Sequence, residues 1–276
     1  MLTPIHINAT SIPDAWFQTL YACVDVGRRF KIDRGSYAGQ DRLEFDYITV
    51  SMSTPDSLPL LPKLFNANIP DPVAEDYLSD YLPYLMTAEV KEGESYTYGQ
   101  RLNGVPVDTE LIFNPEVRSN ASILIQEPGA WEASIIRSEF PGDLLSQIEL
   151  MIWTYKNKGH RNNQMVLQVA QPSDMLLQDP PCLRQIDTRI QDGILHFFPY
   201  FRSWDLFGGF PANLAAIELL KQHCAAEIGV ENGMIIASSK GLHIYDYVIE
   251  ISEMIRGKSA GEFRQETLDV LQNRDN

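Results

Sequence analysis

The chain is poor in cysteine, poor in positive charge and free of long apolar runs. Its three cysteines, Cys23, Cys182 and Cys224, are an odd number with no short Cys-x-x-Cys spacing. That argues against a disulfide framework or a cysteine-rich zinc site and points to a reducing compartment. Lysine and arginine total 22 against 37 aspartates and glutamates, a formal net charge of -15. So acidic a surface repels nucleic acid and anionic membrane, yet a phosphate could still be held by a few local arginines. No stretch reaches the ~18 apolar residues of a membrane span. The start, MLTPIHINATSIPDAW, lacks the basic-then-apolar order of a signal peptide. His6, His160, His196 and His223 have no metal-ligand spacing, so no metal is expected. Asn8 and Asn120 open glycosylation triplets that a cytoplasmic chain leaves unmodified. These absences predict a soluble cytoplasmic protein with a small-molecule or protein partner, no nucleic acid and no membrane.

What is present is a core: 276 residues, 44% of them hydrophobic, suffice for one large domain. SIPDAWFQTLYACVDVGRRF predicts a helix capped by Ser11 or Asp14, with Trp16, Leu20 and Cys23 or Val24 at helical spacing. RLEFDYITVSM predicts one strand, with Leu43, Phe45 and Tyr47 on one face and Ile48, Val50 and Met52 on the other. EDYLSDYLPYLM predicts a helix interrupted before Pro83. The span 103–142 reads as a loop-rich excursion. DLLSQIELMIWTYKNKG predicts a helix capped by Asp143 and stopped by Gly159. QMVLQVA, CLRQIDTRI and ILHFFPYF predict strands, the last two joined by a hairpin at Gln191-Asp192-Gly193. NLAAIELLKQHCAAEIG predicts a helix, MIIASS a strand and HIYDYVIEISEMIRG a last helix. The polar tail, 259–276, is expected to fray. The sum is a mixed α+β single domain over 1–276.

One stretch concentrates reactive groups: DPPCLRQIDTRIQDGILHFFPYFRSWDLFGGFPANLA, from Asp179 to Ala215. Alone, Cys182 reads as a buried structural thiol, the commoner fate of a lone cysteine. Arg202 with Ser203 suits a phosphate, a fork of charged donors beside a hydroxyl. Asn213 offers a donor and an acceptor together, though a helix N-cap is the competing reading.

The spacing of these residues resembles the thymidylate synthases and the related pyrimidine-nucleotide hydroxymethylases. Pro181-Cys182, Arg202-Ser203, Asp205, Gly209, Pro211, Asn213 and His243-Ile244-Tyr245 all stand at that family's intervals. YFRSWDLFGGFPANLA and SKGLHIYDY look more like its archaeal-type branch. IDRGSYAG resembles the family's phosphate loop, giving Asp33-Arg34, and YTYGQRL its tyrosine segment, giving Tyr98 and Gly99. The resemblance implies an α/β fold with a twisted mixed sheet flanked by helices, and a homodimer. It implies methylation of dUMP at carbon 5, with methylene-tetrahydrofolate or a related tetrahydropterin as co-substrate. In that scheme Cys182 is the nucleophile, with Arg202 lowering its pKa. Arg34, Arg202 and Ser203 hold phosphate, with Arg161 nearest to the family's arginine pair across the dimer. Asn213 reads the base, His243 and Tyr245 the sugar, and Asp205 and Gly209 serve the pterin. Tyr98 helps remove the carbon 5 proton.

Three departures stand against the pattern. The histidine that usually follows the cysteine is Leu183. The family's water-organising glutamate has no matching segment, with Glu75, Asp76, Glu92 and Glu94 as substitutes. An apolar closing tail is also missing, which would admit water and favour a hydroxymethyl product.

Overall fold

The computed structural model describes residues 2–33, 37–64, 69–74, 76–106 and 144–257. Ser11 opens the first helix, α1 (Ile12–Val26), its hydroxyl accepting from the Asp14 N–H, with a proline in the first turn. Ile12, Ala15, Trp16, Leu20 and Cys23 form its buried stripe. Asp14 is not the cap; its carboxylate accepts from the Thr10 N–H at 2.8 Å.

Strands β1 (Pro4–Ala9), β4 (Tyr47–Met52), β7 (Val166–Gln168), β8 (Leu183–Gln191), β9 (Ile194–Phe201) and β11 (Glu231–Ser239) make a six-stranded sheet in the order β1-β4-β11-β9-β8-β7. β1–β4 and β9–β11 pair in parallel and the other neighbours antiparallel, so the sheet is mixed. A four-stranded sheet joins β2 (Arg28–Lys31), β3 (Asp41–Phe45), β10 (Trp204–Asp205) and β12 (Leu242–Tyr245) in the order β10-β12-β3-β2. A short ladder pairs β5 (Val105–Pro106) with β6 (Leu144–Leu145).

The remaining helices are α2 (Tyr77–Leu85), α3 (Tyr98–Asn103), α4 (Gln147–Lys158), α5 (Gly209–Ile228) and α6 (Asp246–Arg256). Helix α5 packs on β9 and β11 and against α1, α2 and α4, while α1 covers β1, β3 and β4. Residues alternate in β4, β9 and β11. Ile48, Val50, Leu195, Phe197, Phe201, Ile235 and Ala237 go into the core, and the intervening side chains stay half exposed.

Several expectations need correcting. RLEFDYITVSM is two strands, not one, because the chain bends at Asp46 and β3 and β4 join different sheets. That bend turns both Phe45 and Ile48 into the core, which an unbroken alternation cannot do. Pro83 lies inside α2, in its last turn, rather than ending it. Ser146 caps α4 through the Glu149 N–H, in place of Asp143, which lies outside the described residues. The last helix begins only at Asp246; His243 to Tyr245 are in β12. The hairpin at Asp192-Gly193 forms as read, with φ of 54° and 77°. The excursion beyond Pro106 and the tail from Lys258 lie outside the described residues.

Candidate functional site

Three strands pass from the large sheet to the small one at a common level. β3 and β4 meet at Asp46, β9 and β10 at Arg202-Ser203, and β11 and β12 at Lys240-Gly241. The bends are stitched together: Gly241 N–H donates to Phe45 O at 3.2 Å, and Trp204 N–H to Gly241 O at 3.3 Å. Gly241 has a φ of 80°, a conformation that favours glycine. The sequence-predicted residues collect along this line.

Cys182 sits just ahead of β8 and is partly buried, whereas Cys23 and Cys224 are fully buried. Its carbonyl accepts the Arg202 N–H at 2.8 Å, which fixes the two residues side by side. The Arg202 guanidinium binds back onto the cysteine loop. Its Nε donates to Pro180 O at 3.1 Å and Pro181 O at 3.3 Å, and its Nη2 pairs with Asp179 at 2.8 Å. Burial pushes the Cys182 thiol up, and the Arg202 charge opposes that only in part. The expected lowering of its pKa is therefore corrected for the ligand-free protein: desolvation outweighs the cation.

Tyr98 begins α3, where Thr97 caps the helix by accepting from Gln100 N–H at 2.8 Å. The phenol oxygen accepts the Leu183 N–H at 3.2 Å, so the residue after the cysteine reaches Tyr98 through its backbone. The Leu183 side chain is 1% exposed in the core. Gly99 is required beside it, since a Cβ there would fall on the carbonyl oxygens of Tyr84 and Thr87.

Asp205 accepts from Phe207, Gly208 and Gly209 N–H groups at 3.2, 3.0 and 2.8 Å, an aspartate closing the turn into α5. Gly209 is thus the first residue of α5, bound to Asp205 through its backbone. Because α5 starts at Gly209, the N-cap reading of Asn213 falls. Asn213 lies a full turn inside, donating to Tyr81 Oη at 2.9 Å and accepting from Trp204 Nε1 at 3.1 Å. One donor and one acceptor position of the carboxamide remain.

His243 pairs with Asp205 across β10 and β12. Its Nδ1 binds Gly241 O at 2.9 Å, which requires the proton on Nδ1, and its Nε2 is buried without a hydrogen-bond partner. Burial lowers its pKa, so the ring is neutral with a free acceptor at Nε2. Tyr245 packs edge-on against His243, with centroids 4.4 Å apart, and burial pushes its phenol up to about 12.

The structure thus brings Cys182, Arg202, Tyr98, Asp205, Asn213, His243 and Tyr245 to one line of bends. Ser203 lies half buried on the bend itself. Arg161 is exposed on the loop after α4. Arg34 and Glu75 lie outside the described residues. Asp76 starts α2 without a side-chain cap bond, and Glu94 is taken up by the Lys91 N–H at 3.0 Å. Sequence reasoning missed Tyr77, Tyr81 and Tyr84. Their rings stack along α2 at 5.2 and 6.0 Å and line a groove of about 760 Å³. Their i, i+4, i+7 spacing was the available signal. Among the described residues, no group of three histidine, cysteine, aspartate or glutamate side chains could hold a metal, and no helix is long and apolar enough to cross a membrane.

Fold and site together define a class: mixed-sheet α/β proteins with a thiol beside the bend between two sheets. The thymidylate synthase family profile matches residues 113–270, and the chain belongs to that family, whose members are one-carbon transferases. A Methanosarcina acetivorans protein named "Putative thymidylate synthase" is 28% identical over 251 residues, 90% of this chain and 93% of the relative. The Methanosarcina mazei protein of the same name is 27% identical over the same shares. A Corynebacterium aurimucosum thymidylate synthase is 32% identical over 117 residues, 41% of this chain and 43% of its own.

Proposed function

We propose that the protein methylates dUMP at carbon 5, with methylene-tetrahydrofolate or a related tetrahydropterin as co-substrate. The observation that carries this reading is the pair of unfilled polar positions on Asn213 and His243. Asn213 keeps one donor and one acceptor after binding Tyr81 and Trp204, and buried His243 Nε2 keeps a free lone pair. The first suits uracil, and the second suits a sugar hydroxyl that donates.

In this reading the Cys182 thiolate adds to carbon 6 of the pyrimidine, which makes carbon 5 nucleophilic. A dianionic phosphate needs the Arg202 fork, and its arrival would draw the guanidinium from Asp179 and the Pro180 and Pro181 carbonyls. Arg34, Ser203 and, from a second subunit, Arg161 complete the phosphate set. Tyr98, its oxygen already accepting from Leu183, would hold through its O–H the ordered water that takes up the carbon 5 proton. When bound, the pterin supplies the one-carbon unit and a hydride. The stacked Tyr77, Tyr81 and Tyr84 offer it a flat aromatic wall, and Asp205 Oδ1, holding one backbone N–H, keeps an acceptor position. The half-exposed face of the large sheet, with Phe198, Tyr200 and Ile236, supports a homodimer packed sheet to sheet.

Incubation with carbon-5-tritiated dUMP and methylene-tetrahydrofolate, followed by mass analysis of the nucleotide, tests this. Tritium release, a methylated product and dihydrofolate are expected, all lost in Cys182→Ala. A hydroxymethyl product without dihydrofolate would replace methylation by hydroxymethylation. Nucleotide binding without tritium release would leave a non-catalytic pocket.

A further inference from the structure

A buried charge cluster lies behind the cysteine, outside the residues assigned above. Asp174, 1% exposed, faces two arginines: Arg101 Nη2 at 3.0 Å on one oxygen and Arg184 Nη1 at 3.1 Å on the other. A third donor, the Gln171 N–H, reaches the second oxygen at 2.9 Å. Both guanidinium side chains are themselves largely buried, 11% and 19% exposed. Two cations share one carboxylate, and among the described residues no other carboxylate pairs with either arginine.

The cluster joins the two elements that carry reacting groups. Arg101 belongs to α3, which begins with Tyr98. Arg184 belongs to β8, and the nitrogen that meets Asp174 also donates to Pro181 O at 3.2 Å, one residue before Cys182. The Arg184 backbone is pinned in turn, its carbonyl accepting Val169 and Ala170 N–H at 3.0 and 2.8 Å. Asp174 therefore spans from the tyrosine helix to the cysteine loop. A direct bond between those elements near the thiol, Leu183 N–H to Tyr98 Oη, lies at 3.2 Å. Such a bond keeps its length only while both ends are held, because a single hydrogen bond contributes about 1 kcal/mol.

We propose that the Arg101–Asp174–Arg184 cluster is a positioning device that sets the distance between Cys182 and Tyr98, with Asp174 as its keystone. This rests on the reading of Cys182 as the reacting thiol. Alternative packings are resisted because each cation would be left buried and unpaired. A site held through supporting residues loses rate when the support loosens, even with every reacting group present.

Amide hydrogen exchange of the ligand-free protein tests the tie without any substrate. In Asp174→Asn, whose amide N–H₂ must face a guanidinium, exchange at residues 182–184 is expected to rise at least tenfold. In the same variant kcat for tritium release from dUMP should fall about tenfold or more, with KM within twofold of the parent protein. Should Asp174→Asn fail to fold, Arg184→Met carries the same test, since it leaves Asp174 paired with Arg101. Arg184→Lys, with one donor point, should recover only part of the Arg184→Met loss, which a bare charge requirement would not produce. Exchange within twofold of the parent, or a loss confined to KM, overturns the proposal. If the parent protein releases no tritium, the functional reading fails, and the exchange result alone decides the positioning role.

Discussion

Replacing Asn213 separates what the carboxamide does for the fold from what it does for a base. Trp204 Nε1 donates to its oxygen at 3.1 Å, and Trp204 is 2% exposed. Asn213→Leu leaves that indole N–H buried and unpaired, at a cost of about 1–3 kcal/mol. Loss of the Tyr81 bond at 2.9 Å adds about 1 kcal/mol, the ordinary net worth of one hydrogen bond. The sum is roughly 2–4 kcal/mol. Asn213→Asp behaves differently: its oxygens accept from Trp204, and Tyr81 turns from acceptor to donor. Both structural bonds survive, so the loss should stay below about 1.5 kcal/mol. Urea unfolding followed by tryptophan fluorescence distinguishes the two. For a base, the carboxylate presents acceptors where uracil needs one donor and one acceptor. One oxygen still meets the ring N–H but the other faces the carbonyl, and that one mispaired contact, at about 1–3 kcal/mol, lowers kcat/KM for dUMP roughly 5- to 150-fold, while dCMP becomes acceptable. Equal urea midpoints for Asn213→Leu and the parent would refute the structural half. Undiminished dUMP turnover in Asn213→Asp would refute the functional half.

Two further outcomes are expected. Lys221 and Glu218, both side chains 0% exposed and 3.0 Å apart, form a buried pair on α5 that also binds Asn232 at 2.7 and 2.8 Å. Lys221→Met strands the carboxylate and should cost about 3–5 kcal/mol in urea unfolding, whereas Lys221→Met with Glu218→Leu should recover more than half; an unshifted single variant would contradict this. Since burial raises the Cys182 pKa, alkylation of the ligand-free protein should reach half its maximal rate above the ordinary thiol range of ~8.5. Arg202→Gln removes the cation that favours thiolate, so its profile must move to still higher pH; movement to lower pH would show the guanidinium acts otherwise. Cys23 and Cys224 are 0% exposed and do not compete for the reagent.

Local rules carried far in this chain. The helix from Ile12, the Asp192-Gly193 hairpin, the strands on either side of it and the stop at Gly159 depend on neighbours in sequence, and composition reveals them. The motif residues Cys182, Arg202, Asp205, Asn213, His243 and Tyr245 were legible because their spacing is a property of the chain itself. Their surroundings were not. The bend at Asp46 depends on β3 and β4 pairing with β12 and β11, some two hundred residues downstream, which no local alternation reports. The start of α5 at Gly209 depends on the Asp205 turn, and with it Asn213 moved from cap to helix interior. Cys182 looked activated from the arginine at family spacing, but its burial is a sum over distant elements, and desolvation there exceeds the one favourable charge. Tyr81 meets Asn213 across 132 residues, and Asp174 meets Arg101 across 73. Sequence determined which chemical groups the protein owns and the elements that carry them; packing decided which groups face one another, because burial and long-range pairing are properties of the assembled layers alone.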